Sequence, residues 1–173
     1  MARKIEVMDY NPEWEKMFNT EAKVIKNILG KNCIVVHHMG STSIKGLRAK
    51  PIIDIMPVVK DITLVNAHNA AFEALGYECK GEFGITGRRF FIKGGDNRTH
   101  HIHIFEESNK KDIERHIAVR DYLRRHPNDA TEYALLKEKL AKKFMYDSEG
   151  YCNGKDAFMK ELEQKAMEWK KQI

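Results

Sequence analysis

Cysteine is scarce and poorly placed for any bridge: Cys33, Cys79 and Cys152 stand far apart, odd in number and never in a CxxC pair. That spacing excludes a disulfide framework and argues against a thiolate zinc site. No apolar run approaches the ~18 residues of a membrane span. The opening MARKIEVMDYNPEWEKMF lacks the apolar core and small-residue cleavage site of a secretory signal. These absences point to a soluble, cytoplasmic protein with no membrane partner. One-signed charge is lacking too: 30 Lys+Arg against 25 Asp+Glu give a net +5, and the basic residues are scattered near carboxylates. Such a balance suits a small anionic ligand in a local basic patch rather than a nucleic acid along a stripe.

What is present suits one domain over residues 1–173, long enough to bury a core without staples. Asn11-Pro12 opens a helix carrying Trp14, Met17, Phe18, Ile25 and Leu29 at helical spacing, stopped by Gly30. Cys33–Val36 reads as a buried strand running into a loop, His37 to Ser43. A second strand covers 51–59, and 62–76 reads as a helix ended by Gly76. Residues 88–105 form an antiparallel hairpin about Gly94-Gly95-Asp96-Asn97. Helices follow: 108–126, one capped by Asn128, and a last one after a polar loop holding Asp147, Tyr151 and Asn153. The fold class is α/β (α+β), a small mixed sheet flanked by helices with the C-terminal helices packed on it.

Asp54 is the most informative residue, a carboxylate inside the apolar strand Ile52-Ile53-Asp54-Ile55-Met56. A buried charge needs a partner or a cation. His101 and His103 alternate on a strand, so both point the same way, with His100 opposite. Two imidazoles on one face can hold a metal or relay a proton. Gly40-Ser41-Thr42-Ser43 is a small hydroxyl-rich loop suited to wrapping phosphate, though without the Lys placement of a P-loop. Arg88, Arg89, Lys93 and Arg98 crowd the hairpin, and such repelling cations make sense if a polyanion arrives. Lys50, Arg120, Lys137 and Lys155 are lesser candidates.

Taken in order, these segments resemble the GrpB family of the nucleotidyltransferase superfamily. The resemblance runs through Tyr10-Asn11-Pro12-Glu13-Trp14, His38 to Leu47, Lys50 to Ile55, Arg98 to His103, Arg120 to Arg124, and Tyr133 to Lys155. It implies a minimal nucleotidyltransferase fold. A related domain occurs fused behind dephospho-CoA kinase, which places the family near nucleotide and coenzyme A metabolism. The superfamily pattern is an apolar residue, Gly and Ser, then a spacer to an acidic strand motif and a later third acid. Met39-Gly40-Ser41 fits, twelve residues separate Ser41 from Asp54, and Asp54 matches the first acid. Met56 stands at the second and His103 at the third.

One Asp and two imidazoles suit a single divalent ion that accepts nitrogen, Zn²⁺ or Mn²⁺ ahead of Mg²⁺. The resemblance therefore implies a nucleotide or other phosphate-bearing ligand on Gly40, Ser41, Thr42 and Ser43. Lys50, Arg89, Lys93 and Arg98 would offset its charge, and Asp54, His101 and His103 would form the metal and catalytic centre. Transfer of a nucleotidyl group to a small acceptor follows as the expected activity. Two alternatives stay open: a non-catalytic nucleotide- or coenzyme A-related binding module, and a histidine-dependent phosphoesterase built on His101 and His103.

Overall fold

A computed structural model describes residues 4–173; residues 1–3 of the expected domain lie outside the described residues. Helix α1, Glu13–Leu29, starts where Asn11 Oδ1 accepts the Glu13 N–H at 3.0 Å. It buries Trp14, Ala22, Ile25 and Leu29 along one side. Strand β1, Cys33–Met39, extends through His37 and His38, which the sequence places in a loop. Tertiary pairing decides the matter: His37, His38 and Met39 pair with Met56, Ile55 and Asp54, and the His38 ring stacks on Phe18 of α1.

Strand β2, Ile53–Val59, is followed by a 3₁₀ segment, Ile62–His68, and helix α2, Asn69–Ala74, instead of one continuous helix. Asp61 accepts the Thr63 N–H at 2.9 Å and tightens the first turn, while β-branched Ile62, Thr63 and Val65 weaken α-helical preference. A short strand β3, Tyr77–Cys79, comes next, unheralded by its sequence. Strands β4, Arg89–Lys93, and β5, His100–Glu106, complete the expected hairpin.

The five-stranded sheet runs β1-β2-β5-β4-β3. Its central pair, β2 and β5, is parallel, and the other neighbours are antiparallel. Helix α1, the 3₁₀ segment and α2 cover one face, packing Ile25, Val65 and Phe72 on Ile53, Ile55, Phe91, Ile102 and Ile104. Helix α3, Lys110–Arg125, lies on the other, where Ile113 and Ile117 pack on Met39, Met56 and Phe105. Helices α4, Pro127–Lys143, and α5, Ser148–Lys171, join α3 in a second core around Tyr122, Tyr133 and Leu162.

Two helix starts differ from expectation. Pro127 takes the first position of α4, with His126 rather than Asn128 before it. Helix α5 begins at Ser148, capped by Asp147 accepting the Gly150 N–H at 2.9 Å, so Tyr151 and Asn153 are helical. Gly150 and Gly154 disguise this start by lowering helix propensity. Both are needed for close packing, since a Cβ would meet Phe144 Cδ1, just past α4, at 2.5 Å and Leu140 Cδ2 of α4 at 2.6 Å. Among the described residues, no helix is long and apolar enough to cross a membrane.

Candidate phosphate and metal site

The parallel register of β2 and β5 sets Asp54 beside His101, and His103 follows on the same face. His103 Nε2 lies 3.2 Å and His101 Nδ1 3.6 Å from one oxygen, Asp54 Oδ1. The Asp54 side chain keeps 30% of its exposure, so the cluster opens to solvent at one side. Burial works to raise the Asp54 carboxyl, yet the flanking imidazoles outweigh it and hold it well below the usual carboxylate range. The three residues offer ligand atoms all within 4.8 Å of one another. A tetrahedral ion with bonds of ~2.1 Å spaces its ligands about 3.4 Å apart, which the two distances to Oδ1 bracket. His101 Nε2 is buried without a hydrogen-bond partner.

Around this centre, Arg88 Nη1 sits 3.3 Å from His103 Nδ1, and the His116 ring lies 6.3 Å from that of His103. His116 Nδ1–H donates to the Asp112 carbonyl at 2.7 Å, and burial pushes its pKa below the ordinary histidine value. Met56, where a second acid would stand, is fully buried between Met39 and Phe105.

Gly40 leads into a single 3₁₀ turn, Ser41–Ser43, whose three hydroxyls have different tasks. Ser43 Oγ donates to the Gly40 carbonyl at 2.6 Å. Thr42 is buried, its Oγ1 3.0 Å from His38 Nε2 and 3.4 Å from the Ile52 carbonyl. Burial pushes His38 down to about 4 against the pull of Asp54, with Arg124 and Arg120 adding to burial. Because Thr42 Oγ1–H donates to the Ile52 carbonyl, the neutral ring's Nε2–H donates to Thr42. Those two hydroxyls shape the turn. The Ser41 hydroxyl meets a cation, Lys137 Nζ donating to its Oγ at 2.5 Å, while the Ser43 carbonyl accepts from Arg124 at 3.0 and 3.2 Å.

Lys137 is 4% exposed, reaching from α4 with its ammonium over the Tyr133 ring. Burial, reinforced by Lys155 and Lys50 and opposed by Asp54, pushes it down to about 7. Lys50 and Lys155 both lie over the Tyr151 ring, at 4.7 and 5.2 Å. Lys50 and Lys155 thus sit near Lys137, whose amine touches Ser41. The signal for Lys137 was legible: it interrupts the apolar stripe Tyr133, Leu136, Leu140 of its own helix.

The remaining hairpin cations divide. Arg98 lies with Lys50 along an adjoining cleft of about 330 Å³, its Nε buried and unpartnered. The register pairs Arg89 and Lys93 with Ile104 and His100, on the sheet face opposite Asp54. Arg89 donates to Asn66 Oδ1 at 2.8 Å, and Lys93 pairs with Glu21 at 3.2 Å. Neither joins the Asp54 cluster.

Residues 4–165 match the family described as GrpB protein. The chain belongs to the GrpB family. It is 47% identical over 169 residues to UPF0157 protein YqkA of Bacillus subtilis, covering 98% of this chain and 49% of YqkA. It therefore spans about half the length of that relative. The crystal structure of the conserved protein GrpB from Enterococcus faecalis superposes with a TM-score of 0.91 at 45% identity, covering 94% of this chain and 98% of that one. A cytoplasmic RNA terminal U-transferase superposes with a TM-score of 0.54 at 16% identity, covering 84% of this chain and 43% of that one. The GrpB chain thus shares the nucleotidyltransferase-like fold, a five-stranded mixed sheet flanked by helices.

Proposed function

We propose that this GrpB chain binds a nucleotide through its phosphates, with a divalent ion at Asp54, His101 and His103, and transfers a nucleotidyl group to a small acceptor. The observation that carries this reading is the abutment of two unlike charge centres. A Cβ on Gly40 would strike the Asp54 carboxylate, and the next residue, Ser41, receives the buried amine of Lys137.

In this reading Lys137, Lys50 and Lys155 offset phosphate charge. Ser41 Oγ accepts from Lys137 and hydrogen-bonds Tyr133, which fixes the amine beside the turn. Asp54 carries the one carboxylate charge, and mixed nitrogen and oxygen ligation suits Zn²⁺ or Mn²⁺ better than Mg²⁺. When bound, the ion would supply Lewis acidity at a phosphoryl oxygen. The chain acts here as one domain, because Lys137 of α4 and Asp54 of β2 must meet for the site to exist. A cytoplasmic setting, where free nucleotides are plentiful, suits it.

A second reading, nucleotide or coenzyme A-related binding without turnover, is favoured by Met56, whose burial leaves no room for a second acid. The histidine-nucleophile reading would fall to His101, since His103 Nε2 is turned to Asp54 while His101 Nε2 has no partner. The test is isothermal titration of ATP, GTP, CTP and UTP with Mn²⁺, Zn²⁺ or Mg²⁺ against wild type and Asp54→Ala. Metal-dependent binding lost in Asp54→Ala is expected; no binding of any nucleotide to wild type would remove the proposal. Transfer of labelled nucleotide to a panel of small hydroxyl and amine acceptors then separates enzyme from binding module.

A further inference from the structure

The two imidazoles beside Asp54 are not equivalent. A guanidinium has only donors, so at 3.3 Å from Arg88 Nη1 the Nδ1 of His103 accepts. A neutral imidazole with its lone pair on Nδ1 carries its proton on Nε2. That proton points at Asp54 Oδ1, 3.2 Å away. Ligation of a metal by Nε2 needs the lone pair there, which moves the proton to Nδ1, straight at the Arg88 N–H. Metal-bound histidines ordinarily donate their second N–H to a carboxylate, carbonyl or water. His103 faces the opposite kind of group.

His101 carries no such constraint: its Nδ1 faces the same carboxylate oxygen, and its Nε2 has no partner. Arg88 is firmly placed. It is 7% exposed, donates from Nε to the Glu82 carbonyl at 3.2 Å and from Nη2 to the Phe83 carbonyl at 2.8 Å, and lies 4.5 Å over the Phe90 ring. The loop that holds it carries Phe83, Gly84 and Gly87 at positive φ.

We propose that Arg88 locks His103 as a hydrogen-bond donor to Asp54 and so opposes metal binding at the cluster. Asp54 and His101 supply the first ligands, and His103 joins only when Arg88 withdraws. This rests on the metal-site reading above.

Long-range ¹⁵N–¹H spectra of the wild-type, metal-free protein test the lock directly: His103 protonated on Nε2 and bare on Nδ1 is expected, and the reverse tautomer would overturn it. Zn²⁺ titration by calorimetry tests the consequence. Arg88→Met is expected to bind at least tenfold tighter than wild type, a gain that His103→Ala abolishes in the same background. Equal or weaker binding by folded Arg88→Met, with Asp54→Ala still impaired, would overturn the Arg88 proposal and spare the metal site. Asp54→Ala binding as well as wild type would remove the metal site itself, and Arg88's role with it. Should Arg88→Met fail to fold, the wild-type spectra decide alone.

Discussion

A Cβ placed on Gly40 would fall on the Asp54 carboxylate, with Oδ2 the first atom struck. Gly40 also holds φ +68, where only glycine sits without strain. Both constraints concern the acidic centre. Gly40→Ala is expected to displace Asp54, weaken Zn²⁺ or Mn²⁺ binding tenfold or more, and destabilise the fold by about 1–3 kcal/mol. Metal titration alongside chemical denaturation checks it; unchanged metal affinity would detach Gly40 from the centre.

Lys137 makes a prediction about pH. Its folded pKa of about 7 lies below the 10.5 of an unburied lysine. Between those values the unfolded chain holds a proton that the folded one lacks, so this residue's contribution to stability rises with pH across that window. Below it, both states are charged and the buried ammonium exerts its full penalty. Lys137→Met is expected to be more stable than wild type by roughly 2–4 kcal/mol at pH 6, the gain shrinking towards pH 10. Urea unfolding at several pH values reads the difference. A difference that stays flat would mean that the amine is not buried as a cation at low pH. The same variant is expected to lose nucleotide affinity at least tenfold.

Arg89 and Lys93 serve as controls on the opposite face. Arg89→Ala and Lys93→Ala are expected to leave nucleotide affinity within twofold of wild type, while Lys50→Ala lowers it severalfold. Lys93→Ala costs roughly 1 kcal/mol of stability, because Glu21 keeps only the Tyr77 hydroxyl at 2.6 Å. A large loss of nucleotide binding in Arg89→Ala would contradict the assignment of faces.

Met56→Asp would restore the acid that the superfamily pattern carries at this position. With no exposure and with Met39, Phe105, Ile113 and Ile117 packed on it, the new carboxylate is cut off from water. The variant is expected to lose about 2–4 kcal/mol of stability and gain no metal affinity, measured by thermal unfolding and Mn²⁺ titration. Tighter Mn²⁺ binding in a folded variant would show that the position can reach the cluster.

Some of this was legible in the sequence because it depends on period alone. Asp54 inside an apolar run and the alternation of His101 and His103 both follow from strands whose side chains switch faces at each step. Which cations share that face does not follow. It depends on the hairpin register, fixed where the Asn97 N–H bonds Gly94 O and the Thr99 N–H bonds Lys93 O, each at 2.9 Å. A shift of one residue would have put Arg89 and Lys93 beside the histidines. Strand Tyr77–Cys79 was invisible because three residues carry no periodic signal and pairing with β4 alone makes them a strand. The helical state of Tyr151 lay hidden behind two glycines whose purpose is contact with α4.

Asp54 and His101 are neighbours across a parallel pair whose connection detours through two further strands, and the amine beside them arrives from a helix later still. Heat scatters all these groups along the chain, so an occupant has affinity for the native state alone. At a hundred times its dissociation constant it would hold that state by ~2.7 kcal/mol. A melting curve run against a shelf of phosphate esters would therefore rank them by how far each delays collapse of the sheet.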